Sequence, residues 1–197
     1  MKAIGIIRDE HRALAAVLHG LQFLVRDMRD RGTPPNFPVL SAMLYYIDAF
    51  PERFHHPKED RYLFPLVRVR APAVAAVLDA LEAEHRIGAS KMRTLQQALT
   101  RYREGGAPEA AAFMAAVEDY VACERDHIRR EEREILPAAQ QSLTKGDWEA
   151  VDAAFEGTTD PLLGTDPGMQ WQQLFTRIAN LAPPPIGVGP PTESARA

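Results

Sequence analysis

The sequence predicts an all-α fold, an up-down-up-down four-helix bundle with short C-terminal helices and a Pro/Gly-rich tail. Strand patterns are almost absent, and Ala, Leu, Arg and Glu, which favour helix, dominate the 197 residues. Proline- and glycine-containing breaks occur at 31–38, 70–74, 104–109 and 144–147. Four long segments remain between them, at residues 4–30, 38–70, 72–104 and 108–143. Long amphipathic helices with short connections form such a bundle.

The first and third segments carry apolar residues every three or four positions, as a helix packed against a core requires. The stripe of the first segment comprises Ile4, Ile7, Leu14, Leu18, Leu21 and Val25. The stripe of the third segment comprises Leu78, Leu81, Met92, Leu95 and Leu99. Each stripe also includes a histidine, His11 in the first and His85 in the third, at a position that should face inward.

The second segment contains two prolines in its interior, Pro51 and Pro57. Each proline removes a backbone donor and clashes with the carbonyl one turn back, so we expect a kink there. A bent helix is plausible beside a functional site, whereas two interior prolines would weaken a purely structural helix.

The helical pattern becomes weaker after Lys145. Residues 147–157 predict a short helix, and residues 169–182 predict an amphipathic helix that docks through one apolar face. The proline- and glycine-rich end should be extended or loosely held. We therefore expect a bundle domain over residues 1–145 and an extension over residues 146–197 that packs on the same domain.

The overall composition limits the classes of partner and location. A net charge of −4 gives no basic patch for nucleic acid, so no nucleic-acid partner is expected. The single cysteine, Cys123, excludes an internal disulfide and favours a reducing compartment. The N-terminal apolar run is too short for a signal peptide, and no stretch approaches the roughly 18–20 apolar residues that cross a bilayer. We expect a cytoplasmic protein with no membrane partner and an unknown oligomeric state.

One histidine falls on or near the inward face of each predicted long helix. These are His11, His55 (or its neighbour His56), His85 and His127. A lone inward histidine is more often a hydrogen-bonded core residue than a metal ligand. Four such residues, one on each helix, favour a shared metal site.

Two of the helices repeat the pattern H-x-x-x-E, as His55–Glu59 and His127–Glu131. Residues four apart lie on the same helical face, so each pair directs an imidazole and a carboxylate into the bundle. A single H-x-x-x-E is usually a solvated pair, but here both accompany the inward histidines. Imidazole suits iron, zinc and copper, and a carboxylate can bridge two metals. The sequence therefore predicts a dinuclear centre.

A second ligand pattern, E-x-x-H, occurs as Glu52/His55, Glu82/His85 and Glu124/His127. Two such motifs with two further glutamates form the di-metal site of ferritin-like proteins. That site has no use for an inward His11 and would need a carboxylate in its place, which Glu10 does not supply. On the favoured interpretation, Glu52, Glu82 and Glu124 are candidate acceptors of the histidine N–H groups.

Several other residues are weaker candidates for the site. His56 lies about 100° around the helix from His55, and His19 is two turns from His11. We interpret His19 as a core or surface residue and Cys123 as a small buried residue. Tyr62 and Tyr120 are placed to approach the site, although a core tyrosine usually only packs and finds one partner.

Four stretches in this order and spacing resemble the hemerythrin-like domain, also called the HHE cation-binding domain. They are DEHR (9–12), HHPKEDRYLFP (55–65), EAEHR (82–86) and DHIRREEREILP (126–137), within residues 4–143. The resemblance implies a four-helix bundle with a non-haem di-iron centre. It implies terminal ligands at His11, His55, His85 and His127, with Glu59 and Glu131 bridging the two irons.

This chain departs from the oxygen-carrying hemerythrins on its third helix. They have a second histidine four residues after the first, where this chain has Ala89. One iron would keep an open or water-filled position unless His56 or another group fills it. The departure argues against simple oxygen carriage. It favours the bacterial relatives with fewer histidines, whose roles include responses to oxygen, nitric oxide and peroxide, iron handling and iron–sulfur repair.

We therefore expect a di-iron protein that binds or senses O₂, NO or peroxide. The alternatives are an iron-handling or iron–sulfur-repair iron donor and a metal-stabilised regulatory module. Zinc or manganese are possible substitutes for the two iron ions, since supply and affinity both decide occupancy. The sequence contains no nucleophile motif, phosphate loop or flavin fingerprint, and it leaves enzymatic activity undecided.

Overall fold

The computed structural model describes residues 1–156, and every secondary-structure element within that range is helical. The prediction of an all-helical fold is therefore confirmed for these residues. The predicted helix at 169–182 and the Pro/Gly-rich tail lie outside the described residues.

Four long helical segments and one shorter helix make up the described chain. Segment I is α1 (Lys2–Arg31). Segment II contains α2 (Phe37–Ala49), a π-helical turn (Pro51–His55), α3 (His56–Lys58), a second π-helical turn (Glu59–Leu63) and α4 (Phe64–Arg70). Segment III is a 3₁₀ turn (Pro72–Val74) followed by α5 (Ala75–Gly105). Segment IV contains α6 (Ala107–Arg130), a third π-helical turn (Glu131–Ile135) and α7 (Leu136–Ser142), and α8 (Lys145–Glu156) follows.

The breaks between the segments follow the expected turn chemistry. Gly32 ends α1 with φ 67°, a left-handed conformation that glycine adopts without steric cost. The side chain of Asn36 caps α2 by accepting the N–H of Val39 at 3.2 Å. Gly106, with φ 70°, separates segments III and IV.

Proline accounts for the two π-helical turns that begin at glutamates. Pro65 and Pro137 each follow such a turn, in the first turn of α4 and α7. A proline has no N–H for the carbonyl four residues back and clashes with it, which opens the turn. The remaining π-helical turn, Pro51–His55, begins at a proline where the sequence predicts a kink, whereas the interruption of segment IV at Glu131–Ile135 is not predicted.

Two apolar clusters fill the interior on either side of a polar layer. Segment I contributes residues 3–7 to one cluster and residues 14–28 to the other, with His11 between them. Segments II, III and IV are divided in the same way, and the order in which each segment meets the two clusters alternates. Helix α8 packs on the start of α1, where Asp152 accepts the N–H of Ala3 at 2.8 Å.

Candidate metal centre

Two pairs of histidines face each other in the polar layer. Nε2 of His11 lies 3.1 Å from Nε2 of His55, and Nε2 of His85 lies 3.0 Å from Nε2 of His127. All four side chains are only 2–3% exposed. The structure therefore brings together one imidazole from each long segment. We call His11 and His55 the first pair, and His85 and His127 the second pair.

Two carboxylates lie between the pairs, and each presents one oxygen to each pair. Oε2 of Glu131 is 3.1 Å from Nε2 of His11, and Oε1 of Glu131 is 3.2 Å from Nε2 of His127. Glu59 places Oε1 3.4 Å from the nearer Nε2 of the first pair and Oε2 3.9 Å from the nearer Nε2 of the second pair. A carboxylate in this position can bridge two cations.

The local helical structure fixes the positions of both glutamates. Each is the first residue of a π-helical turn, Glu59–Leu63 or Glu131–Ile135. The i, i+4 spacing places Glu59 beside His55 and Glu131 beside His127 on the same face. Wide turns of this kind occur frequently at functional sites, since they change the direction of a side chain without ending the helix.

The Nδ1 atom of every paired histidine faces an acidic side chain on another segment. The pairs are His55 with Glu10 at 2.6 Å, His85 with Asp60 at 2.7 Å, His127 with Glu84 at 2.8 Å and His11 with Glu132 at 3.2 Å. Each acid is next in sequence to one of the six central residues. The contacts run from segment I to II, II to III, III to IV and IV to I, so they join all four segments in a closed ring.

These acids determine the protonation of the imidazoles. In a neutral imidazole, a carboxylate facing Nδ1 holds the proton on that atom and leaves Nε2 with a lone pair. Within each pair, two such Nε2 atoms lie about 3 Å apart and close to carboxylate oxygens. That many acceptors in one place repel each other unless a proton or a metal cation lies between them.

The pKa values differ within each pair. Burial lowers the pKa of His11, but the carboxylates of Glu131 and Glu132 outweigh burial and raise it to about 8. Burial, followed by the charge of His11, lowers the pKa of His55 well below its ordinary value. Burial likewise lowers the pKa of His85. One imidazole of the first pair therefore takes up a proton more readily than the other.

The same contrast holds for His127 and for the two central glutamates. Burial lowers the pKa of His127, but Glu131 and Glu84 outweigh burial and raise it to about 11. Burial and then the charge of Glu131 raise the pKa of Glu59 well above its ordinary value. For Glu131, burial acts upward, but His127 and His11 outweigh it and lower the pKa. These shifts favour a proton on His127 and on Glu59 and a negative charge on Glu131.

The donor set fits a metal pair. The four oxygens of Glu59 and Glu131 are buried, and none accepts a hydrogen bond from the described residues. The ligand atoms of the first pair and both glutamates all lie within 4.8 Å of one another, and so do those of the second pair and the same two glutamates. A buried carboxylate without a partner costs several kcal/mol, by order of magnitude, and a metal ion would remove that cost.

The prediction that the paired histidines donate to Glu52, Glu82 and Glu124 is wrong. The Nδ1 atoms of these histidines face the four other acids named above. Glu82 forms an ion pair with Arg68 at 3.1 Å. Glu52 accepts a hydrogen bond from Tyr120 at 3.0 Å. The E-x-x-H spacing places the acid on the histidine's own helix, whereas the observed acceptors come from neighbouring segments.

The remaining candidates separate clearly by burial. His56 is buried beside the second pair, whereas His19 is exposed on α1. Cys123 is half-buried and lies 2.9 Å from Nζ of Lys91. Tyr62 is half-buried, with the guanidinium of Arg61 5.3 Å from its ring.

The sequence did not single out Lys58, which is buried next to the first pair. Its Nζ lies 3.5 Å from Oε1 of Glu10 and 4.6 Å from the ring centre of Phe155 in α8. Phe155 also packs on His55, with ring centres 6.5 Å apart. The sequence did offer one indication that Lys58 lies near the site, because Lys58 stands between His55 and Glu59 within the H-x-x-x-E pattern.

A helical protein with a buried histidine and carboxylate cluster between its segments belongs to the class of helical metal-site proteins. Residues 2–139 match the family model described as the hemerythrin HHE cation binding domain, and this chain belongs to that family. Comparison with the curated proteins and with the solved structures gives no significant match. Among the described helices, none combines the length and the apolar character needed to span a membrane.

Proposed function

We propose that this protein is a non-haem di-iron protein that binds or senses O₂, NO or peroxide. Its ligands are His11, His55, Glu59, His85, His127 and Glu131. The observation that carries the proposal is that each of the two carboxylates has one oxygen directed to each histidine pair. Family membership supports cation binding, and the mixed nitrogen and oxygen donors suit iron, with zinc and manganese as competitors.

The proposed scaffold is an up-down-up-down four-helix bundle over residues 1–145 that carries the 146–197 extension on its surface. The alternating order in which the four segments meet the two apolar clusters supports this topology. The packing of α8 on α1 supports docking of the described part of the extension.

Iron bound between the pairs would supply a redox-active centre for a small diatomic or peroxide ligand. The protein's own residues orient and shield that centre. The four outer acids hold each Nε2 turned inward, and the aromatic rings of Phe64 and Phe155 exclude water from the two pairs. The carboxylates of Glu59 and Glu131 would neutralise part of the positive charge of the bound ions, which neutral imidazoles cannot do.

The burial of the site favours this function over iron donation. A donor must release its metal easily, whereas the six ligand side chains here are 1–3% exposed. A retained centre should lose iron to a chelator slowly. A metal-stabilised regulatory module would instead show its main metal response in partner binding or in the fold.

The test is elemental analysis of protein made in iron-replete cells, together with its visible spectrum. We expect about two irons per chain and a charge-transfer band that changes on adding azide or NO. His127→Ala should abolish the band, and His19→Ala, at an exposed histidine, should leave it unchanged. Iron-loaded protein without any spectral response would overturn ligand binding, and an unchanged iron content in His127→Ala would overturn the ligand set.

A further inference from the structure

We propose that His56 is a fifth histidine ligand, so that the second pair becomes a three-histidine metal position while the first pair keeps two. This inference rests on the proposed di-metal centre and assigns one more residue to it. It makes the two metal positions unequal in this chain.

The first observation is the position of the His56 ring. It is 5% exposed and stacks on His85, with ring centres 4.3 Å apart and an interplanar angle of 12°. Its centre is 5.2 Å from that of His127. One ring nitrogen from each of His56, His85 and His127 lies within 4.8 Å of the others, so the three residues form a group that could hold one ion once the His56 ring turns out of the stack towards the pair.

The second observation is an incomplete set of hydrogen bonds. Nδ1 of His56 is buried and has no hydrogen-bond partner among the described residues. Oε2 of Glu52 lies 3.8 Å from it, beyond hydrogen-bond distance. Each of the four paired histidines has an acid at Nδ1, and Glu52 occupies the corresponding place at His56. A small rotation of the His56 ring would bring Nδ1 within hydrogen-bond distance of Glu52.

The third observation is that segment III leaves room for the Glu52 side chain. A Cβ at Gly88 would lie 2.3 Å from Oε2 of Glu52, so a larger residue there would displace the Glu52 carboxylate from its present position. The other oxygen of Glu52 accepts a hydrogen bond from the hydroxyl group of Tyr120 at 3.0 Å. Segment III therefore supplies space rather than a second histidine: Gly88 is buried against Glu52, and Ala89, four residues after His85, is exposed.

These contacts make His56 the substitute, from segment II, for the histidine that segment III lacks. Glu52 is a positioning residue that acts through His56, and Tyr120 and Gly88 hold Glu52 in place.

A direct test counts the coordinated imidazoles in the unmodified chain. Proton NMR of the Co²⁺-loaded protein should show five solvent-exchangeable, strongly shifted imidazole N–H signals. Four signals would overturn the role of His56 and leave the di-metal centre intact. Absence of Co²⁺ binding would contradict the proposed function itself, so the two failures are distinguishable.

A titration of variants with Co²⁺, followed by visible absorption, tests the same point by affinity. His56→Ala should bind one ion as the unmodified chain does and the other at least about 100-fold more weakly, beyond the usual 10–100-fold effect of an outer partner. His56→Phe keeps a stacked ring without ring nitrogens and should behave like His56→Ala. Unchanged binding of both ions in His56→Phe would overturn the proposal, and His19→Ala is the matched control.

The positioning role of Glu52 requires its own readout. Glu52→Gln and Gly88→Ala should each weaken the second ion about 10–100-fold and shift only the fifth N–H signal. Variants in which all five signals stay unchanged would show that Glu52 does not hold His56.

Discussion

The first and second pairs have the same inner geometry but different surroundings. In both, two Nε2 atoms lie about 3 Å apart, and both share the oxygens of Glu59 and Glu131. The first pair is covered by Phe155 from α8 and by the buried Lys58. The second pair instead has aromatic rings stacked on His85, those of Phe64 and His56.

Glu10 is the one buried acid among the four that face the paired histidines. It faces His55 in the first pair, is 2% exposed and lies beside the ammonium of Lys58, whereas Glu132, which faces His11, is 40% exposed. Asp60 and Glu84, which hold the second pair, are 38% and 27% exposed. The shared geometry comes from the repeated H-x-x-x-E and its π-helical turn, and the differences come from segments that do not repeat. A centre with symmetric bridges can therefore have two unequal metal positions.

Removal of the Glu131 carboxylate, the proposed bridge, should have the largest effect, because it faces both pairs at similar distances. In Glu131→Gln, a neutral amide replaces an anion that faces His11 and His127 at 3.1 and 3.2 Å. We expect loss of both ions, measured by elemental analysis. The matched control is Glu132→Gln, the next residue, whose carboxylate faces His11 of the first pair at 3.2 Å and whose loss should weaken only the first ion about 10–100-fold. Retention of two ions in Glu131→Gln would show that the carboxylate does not bridge.

Loss of one histidine should affect the two pairs unequally. His55→Ala leaves a single imidazole for the first ion, and we expect that ion to be lost. His85→Ala still leaves His127 and His56 near the second ion, so we expect weaker binding without complete loss. Stepwise Co²⁺ titration measures both constants. Equal losses in the two variants would remove the distinction between the pairs.

The sequence predicted the parts of this centre that depend on spacing within one helix. The proline and glycine breaks located the four segments, and α1 is observed at Lys2–Arg31 against the expected 4–30. The i, i+4 rule placed His55 with Glu59 and His127 with Glu131, as observed. That the six candidate residues converge was expected from one inward histidine on each helix.

The contacts between segments could not be derived in the same way. The acids at Nδ1 belong to neighbouring segments, so their identity depends on rotation and height across the interior, which spacing along one helix does not specify. His56 was placed about 100° from His55 by regular helix geometry. A π-helical turn ends at His55 and another begins at Glu59, and these wider turns allow both histidines to be buried.

Shortening Phe155 should disturb the first pair alone. Phe155 is fully buried, contacts His55 and lies over Lys58. Phe155→Ala should lower the free energy of unfolding by about 3–5 kcal/mol and admit water to the first pair. Chelator kinetics on the Co²⁺ protein should then show one ion leaving faster and the other unchanged. Phe155→Leu, which keeps most of the apolar volume, is the control, and equal acceleration of both ions would contradict a cover limited to the first pair.

The smallest expected effect concerns the start of α8, at the opposite end of this helix from Phe155. Thr144 and Asp147 form a reciprocal cap: the N–H of Thr144 donates to Oδ2 of Asp147 at 2.9 Å, and the N–H of Asp147 donates to the Thr144 hydroxyl at 3.2 Å. Arg70 lies 3.0 Å from the same carboxylate. Arg70, followed by Thr144, lowers the pKa of Asp147 to about 2.

Because the folded pKa of Asp147 is depressed, its carboxylate stabilises the fold above the unfolded value of about 3.9, and this stabilisation is lost as the pH falls towards 2. Asp147→Asn should therefore lower the urea midpoint slightly at pH 7 and match the unmodified chain near pH 2. Metal binding by the second pair should not change, because the contact of α8 with the histidines is that of Phe155 with His55 in the first pair. A stability difference that persists at the lowest pH would assign the effect of Asp147 to hydrogen bonding alone rather than to its charge.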